Sequence, residues 1–312
     1  MWFKNLNIYR LNNDFAVDPD LEQKLLPMAF RPCGSHELST YGWTSPLGKS
    51  SEQLVYSVNG FLMLCGQKEE RVLPTTVVNE MTQDKILEAE QQQGRKLGKK
   101  ERIAIKDELI FELLPRAFTF QTKTYAYIDP KGGWLIVDAA SANKAEDLLS
   151  SLRKCLGSLS VTPINRITLN RPVSVMTGWL DDEAPAPDDI TLDDECELRA
   201  PEEEGGIIRC KRHDLSLPEI KNHLESGKHV FKLAVTWAER LSFVIDDDLA
   251  IKRLKFLDLI QGQAAETKTE SDADRFDVDF SIMSLELANF LPRLVEIFGG
   301  EIKEKPSTNL DA

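Results

Sequence analysis

The residues from Gln91 to Lys106 hold six bases, Arg95, Lys96, Lys99, Lys100, Arg102 and Lys106, against a single acid, Glu101, in a chain whose net charge is −13. A second dense group follows about a hundred residues later as Arg209, Lys211, Arg212 and His213. Separate cationic side chains neutralise phosphates and release condensed counterions. Two such clusters therefore point to nucleic-acid binding that falls steeply with salt and varies little with base sequence.

Hydrolysis would need a different set of residues. Asp129, Asp138 and the run Asp246 to Asp248 are the carboxylates that would hold Mg²⁺ in a nuclease. Each falls at a turn beside a strand-like stretch, where acids ordinarily bond the turn's own backbone. His36, His213, His223 and His229 show no HExxH or HxH spacing, and no GxSxG or GxGxxG motif occurs. GWTSPLGKS, from Gly42 to Ser50, approximates a phosphate loop. It has five residues between its glycines where the motif needs four, and no apolar strand directly precedes it, so Lys49 is at most an isolated charge. Neither catalysis nor a cofactor or metal is expected.

The acid is concentrated in one place. Between Asp181 and Glu204 twelve acids stand against one base, Arg199, so this segment carries −11 of the chain's −13. A distant acidic segment does not cancel a basic face elsewhere, because the Debye length is about 8 Å at physiological salt. The same stretch holds Pro185, Pro187 and Pro201 and reads as a flexible surface loop, which would also suit a protein adaptor docking through it. Cys33, Cys65, Cys155, Cys196 and Cys210 are odd in number and scattered without a CxxC pair, so reduced thiols are expected. No apolar run approaches the roughly 18 residues of a membrane span. The start, MWFKNLNIYRL, alternates like a first strand rather than a signal peptide, so a cytoplasmic setting is expected.

The elements that must position these bases follow from periodicity. Val77 and Met81 before the first cluster, and Ile105, Leu109 and Leu113 after it, recur at helical spacing. Thr75 opens one helix, Gly94 and Gly98 break it, and Pro115 stops the return, so 75–114 reads as a helical-hairpin arm about 20 Å long. Phe118 lies at its end, either as a core side chain or, if exposed, as an anchor for self-association. TYAYIDPKGGWLIVD reads as a hairpin, and SANKAEDLLSSLRKCLG as an amphipathic helix with Ala145, Leu148, Leu149, Leu152 and Leu156 on its apolar stripe. GGIIRCK and HVFKLAVTWAERLSFVIDDDLAIKRLKF read as further strands, and MSLELANFLPRLVEIFGG as the last helix, ahead of a disordered tail. The fold class is therefore α+β, antiparallel sheets with packed helices. Residues 1–74 and 115–175 form a central domain, 75–114 the arm, and 176–312 a second α+β region with an acidic loop at 181–204.

Several long blocks in this order, MWFKNLNIYRL, MAFRPCGSHE, QKEERVLP, LLPRAF, DAASANKAEDLLSSLRKCLGSLSV, GGIIRCKRHDL, and RLKF with FDVDFSIM, resemble the RdgC family of bacterial recombination-associated proteins over nearly the whole chain. The resemblance implies a non-enzymatic, nucleoid-associated protein that binds duplex DNA with little sequence preference. It would do so as a ring-shaped homodimer and restrain a RecA-type recombinase. It also implies that the arms meet through Phe118, which acts as a gate, and that Lys211, Arg212 and His213 face DNA; the charge cluster itself adds Arg95, Lys96, Lys99 and Lys100 as expected phosphate contacts. His213 departs from the family's glutamine, so its contact is expected to be weaker or pH-sensitive.

Overall fold

The computed structural model describes residues 1–12, 19–181, 184–202, 205–267, 269 and 271–302. Its organisation starts from the strand β1 (Leu6–Leu11), whose alternating side chains are buried on both faces. Leu6 and Ile8 enter one core, while Tyr9 and Leu11 enter a second. β1 pairs antiparallel with β6 (Trp134–Asp138) from Leu6↔Asp138 to Arg10↔Trp134, and with β12 (Ile251–Phe256) at Leu6↔Ile251. It is thus the seam between the N-terminal and C-terminal halves of one twelve-stranded sheet.

On the N-terminal side lie β2 (Ser39–Thr44), β3 (Val55–Val58), β4 (Phe61–Arg71), β5 (Thr119–Asp129) and the short β7 (Val161–Pro163). On the C-terminal side lie β8 (Ile190–Arg199), β9 (Ile207–Lys211), β10 (His229–Trp237) and β11 (Leu241–Asp246). The order across the sheet is β2-β4-β5-β6-β1-β12-β11-β10-β8-β9, with β3 on β4 and β7 on β1. The expected β5–β6 hairpin is present, its turn held by Gly132 N–H donating to Asp129 Oδ1. Gly42, from the approximate phosphate loop, lies within β2, where a Cβ would come 2.5 Å from the Phe30 backbone, so close packing accounts for the glycine there.

Eight helices are described. α1 (Leu21–Leu25) and α4 (Ala142–Leu156) belong to the second core, where Ala145, Leu148, Leu149 and Leu152 meet Tyr9, Ile128 and Val137. α2 (Thr75–Gln93) and α3 (Lys99–Leu113) pack on each other around Val78, Ile86 and Leu109, with Gly94 at φ 63° closing α2. α5 (Pro172–Leu180), α6 (Pro218–Glu225) and α7 (Asp258–Glu266) complete the C-terminal half. α8 (Asp272–Ile297) spans both halves, as its length of about 39 Å allows. Phe280 meets Tyr127 of β5 at 5.9 Å between ring centroids, and Phe290 meets Trp237 and Phe243 of β10 and β11 at 5.1 Å each. α8 starts well before Met283, because Ser271 caps it by accepting from Asp274 N–H.

The segment from Asp181 to Glu204 is not a loop along its length, as its composition implied. Ile190 to Arg199 form β8, inside the sheet between β10 and β9, with Cys196, Glu197 and Leu198 buried. Charge alone misleads here because a strand needs only every second residue to be apolar, and bases distant in sequence neutralise the intervening acids. Asp182, Glu183, Glu203 and Glu204 lie outside the described residues, as does most of the tail expected to be disordered.

Candidate nucleic-acid interface

In the C-terminal half of the sheet, period-two alternation separates two faces. Leu233, Val235 and Trp237 of β10 register with Ile245, Phe243 and Leu241 of β11 and fill the core with α8. The opposite face carries Ala234, Thr236, Ser242 and Val244. Ser242↔Lys255 and Val244↔Lys252 add two bases from β12 to that face. Lys232↔Glu197, Glu197↔Arg209 and Glu195↔Lys211 extend it across β10, β8 and β9. Six cations, Arg209, Lys211, Lys232, Lys252, Arg253 and Lys255, are thereby gathered from three strands, β9, β10 and β12. A cleft of about 790 Å³ opens on this face, floored by Ala234, Thr236, Ser242 and Val244 and bordered by Glu195, Arg253 and Lys255.

Four acids are built into this basic face: Asp193, which accepts from Thr236 Oγ1 and Ser242 Oγ, Asp246, opposite Lys232 and 3.9 Å from Lys252 Nζ, and Glu195 and Glu197. Glu197 is 5 % exposed and accepts from Arg199 Nη2 at 2.5 Å, Arg209 Nε at 2.8 Å and Lys232 Nζ at 3.3 Å. Burial alone would raise its pKa, but the hydrogen bonds from Arg209, Arg199 and Lys232 outweigh that and hold it at about 2. Glu195 lies 2.8 Å from Arg253 Nη2 and 3.9 Å from Lys211 Nζ. Arg253 reaches it across β11 and β10, a span of about 14 Å at ordinary strand spacing. Arg253 is lifted out of the ladder at φ 53°, next to a register shift between β11 and β12. Anionic and cationic side chains are therefore interleaved on this face rather than segregated.

Of the second sequence cluster, Arg209 and Lys211 lie on this face. Arg212 follows β9 at φ 53° and makes no ion pair among the described residues, while His213 Nε2 sits 3.1 Å from Glu219. The first cluster lies where α2 turns into α3. Arg95 grips Glu101 through both terminal nitrogens, at 3.0 and 2.6 Å, and Glu101 also accepts from Gly98 N–H. Those bonds hold the Glu101 carboxyl at about 2, the Arg95 contact contributing most. Arg102 binds Glu90 at 2.9 Å, so Arg95 and Arg102 brace the turn. Lys96, Lys99 and Lys100 make no ion pair among the described residues and remain open to an external anion. No hydrogen bond or ion pair among the described residues joins the two clusters.

Phe118 is 86 % exposed, which removes the core alternative for it. Phe120, two residues along β5 and on the same face, is 59 % exposed. Arg71 fixes this point by donating to the Leu114, Ala117 and Gly34 carbonyls, and His36 stacks on Phe111 of α3 at 4.0 Å.

Three of the carboxylates weighed for a metal serve the backbone, and Asp248 accepts from Asn165 Nδ2. Asp129 accepts from Gly132 N–H, Asp138 from Lys4 and Asn5 N–H, and Asp246 from Asp248 and Ala250 N–H. Burial pushes Asp138 and Asp246 above the usual carboxylate range. Among the described residues no three His, Cys, Asp or Glu side chains converge as metal ligands. No described helix is long and apolar enough to cross a membrane.

Sequence reading missed Lys232, Lys252, Arg253 and Lys255. Their only signal is that in HVFKLAVTW and IKRLKF the bases alternate with buried residues, and strand pairing between distant segments is what unites them.

Comparison with known proteins matches nearly the whole chain. A family model described as "RdgC: Putative exonuclease, RdgC" matches residues 1–301. The chain is 50% identical to the recombination-associated protein RdgC of Tolumonas auensis over 305 residues, covering 97% of this chain and 100% of that one. It is 48% identical to the protein of the same name in Pseudomonas aeruginosa over 303 residues, covering 96% of this chain and 98% of that one. The Yersinia pestis protein of that name is 45% identical over 303 residues, covering 96% and 99%. A match this long, at this identity, places the chain in the RdgC family.

Proposed function

We propose that this chain binds duplex DNA without sequence preference, closes as a homodimer into a ring around it, and thereby restrains a RecA-type recombinase in the cytoplasm. The observation that carries this reading is the face of Arg209, Lys211, Lys232, Lys252, Arg253 and Lys255, whose spread from β12 through β10 to β9 matches a run of phosphates better than a base-reading element. Arg212 and His213 extend it, and Lys96, Lys99 and Lys100, with Arg95 beside them, supply a second contact. In this reading 75–114 is the arm, 1–74 with 115–175 the centre and 176–312 the base. The exposed Phe118 is the contact that closes one arm on the other. The relatives' names, which tie them to recombination, support the setting. A ring retains DNA by enclosure, so modest phosphate contacts suffice. Affinities for unrelated duplexes of equal length, measured across a salt series, should coincide. With about six phosphates contacted, they should fall with a log-log slope of roughly −5. Strong dependence on base sequence would overturn the reading.

The description of the family model favours a second reading, a Mg²⁺-dependent nuclease. It predicts Mg²⁺-dependent degradation of linearised plasmid from its ends by purified protein, lost in Asp246→Asn. The DNA-ring reading predicts no cleavage by either protein. An adaptor role for the acidic segment is tested by neutralising exposed Asp188 and Glu202, because deleting 181–204 would remove β8 from the sheet.

A further inference from the structure

Two of the five cysteines stand opposite each other. Cys196 of β8 registers with Cys210 of β9, the last strand of the sheet, on the face that meets the α8 core. Directly paired antiparallel residues have Cα atoms about 4.5 to 5.5 Å apart, inside the window of about 4.4 to 6.8 Å that a disulfide spans. Cys196 is 2 % exposed, and Cys210 is half-buried and reaches solvent. Both thiols are reduced in this structure. The other three have different neighbours: Cys33 donates to the Glu69 carbonyl, Cys155 to Met28 Sδ, and Cys65 registers with Tyr125.

We propose that Cys196 and Cys210 are a dithiol site that reacts with a peroxide and closes a reversible disulfide across β8 and β9. Their environments divide the roles. Burial, and then the adjacent Cys210, push the Cys196 thiol up to about 12, which keeps it protonated. The solvent-reaching Cys210 is therefore the nucleophile. Its thiolate attacks one peroxide oxygen and breaks the O–O bond, giving a sulfenic acid on Cys210 and hydroxide, which takes a proton to become water. Cys196 sulfur then attacks the sulfenic sulfur, expelling hydroxide, which leaves as water with the Cys196 proton. Two thiols are oxidised by two electrons, and one peroxide is reduced to two waters.

Arg209 and Lys211 flank Cys210 and point to the opposite face, so the new bond leaves their side chains free while tying down the strand that carries them. This chemistry does not depend on the DNA reading.

The test uses the full-length protein exposed to dilute hydrogen peroxide, then thiol alkylation, intact mass and peptide mapping. Expected is the loss of two hydrogens per chain, reversed by dithiothreitol and mapped to a Cys196–Cys210 link. Cys33 and Cys155 should remain alkylatable, and amide exchange of Ile207–Lys211 should slow in the oxidised protein. Cys210→Ser, at a half-buried position, should remove the mass change while leaving the thermal melt intact. Sulfinic acid on Cys210 without a link, or a link between two chains, would overturn the proposal. So would an unchanged mass in wild-type protein after exposure to peroxide, or a mass change that maps to another cysteine.

Discussion

If the basic face of β8 to β12 holds phosphates, removing an acid from it must tighten DNA binding, and Glu195→Gln is the sharpest such change. Glu195 lies 2.8 Å from Arg253 and 3.9 Å from Lys211, so it competes with DNA for both. A phosphate on the far side of Lys211 would sit roughly 7 Å from the carboxylate, given contacts of about 3 Å. Coulomb repulsion over that distance is roughly 0.6 to 2.4 kcal/mol for an effective dielectric between about 80 and 20, and screening at physiological salt multiplies it by about 0.4. The variant should therefore bind about 1.5- to 5-fold tighter per phosphate, and about two- to twenty-five-fold tighter if Lys211 and Arg253 each hold one. Fluorescence anisotropy on a labelled duplex at fixed salt reads this directly, with the thermal melt as a check on folding. Glu37→Gln is the control, because Glu37 pairs with Arg31 just before β2, at the other end of the strand order. It should change affinity by less than about twofold. Weaker or unchanged binding by a folded Glu195→Gln protein would refute the assignment of this face to DNA.

Three further outcomes are expected. Phe118→Ser should shift dimer dissociation to higher protein concentration in sedimentation and weaken DNA binding. The melt should move by no more than about 0.5 kcal/mol in stability, since the ring is 86 % exposed; a parallel loss of melt and binding would contradict this. Lys211→Ala with Arg212→Ala should reduce the log-log salt slope by about two, and an unaltered slope would remove both from the interface. The bidentate bond from Arg293, aided by Trp237 Nε1, holds Asp189 at about 2 against an ordinary 3.8, and Glu197 is held at about 2 against 4.5. Because the unfolded chain takes up these protons first, both carboxylates add stability in full above about pH 4.5 and lose it as pH falls towards 2. The melting temperature should fall across that window, and fall less steeply in Glu197→Gln.

Local signals made much of the fold readable. Thr75, Gly94 and Pro115 bounded the α2–α3 pair, the DPKGG turn fixed the β5–β6 hairpin, and the leucine stripe gave α4. The α8 cap at Ser271, followed by Asp272 and Asp274 in the first turn, was a readable helix start. What failed was pairing between segments far apart. β8 and the residue before it looked like a loop because their acids find their partners elsewhere: Glu197 in Arg209 and Lys232, Glu195 in Arg253, and Asp189, just ahead of the strand, in Arg293. The candidate interface was half visible for the same reason. Lys211 stood in a dense cluster, whereas Lys232, Arg253 and Lys255 join it only through the sheet register, which also brings Cys196 to face Cys210.

Enclosure of the duplex is most directly tested by comparing one plasmid in two topologies. Protein is loaded at low salt on the closed circular form and on the same DNA cut once, and retention is then measured after a high-salt wash that breaks phosphate contacts. A closed dimer predicts that protein stays on the circle and leaves the linear molecule through its ends. Equal loss from both would contradict it.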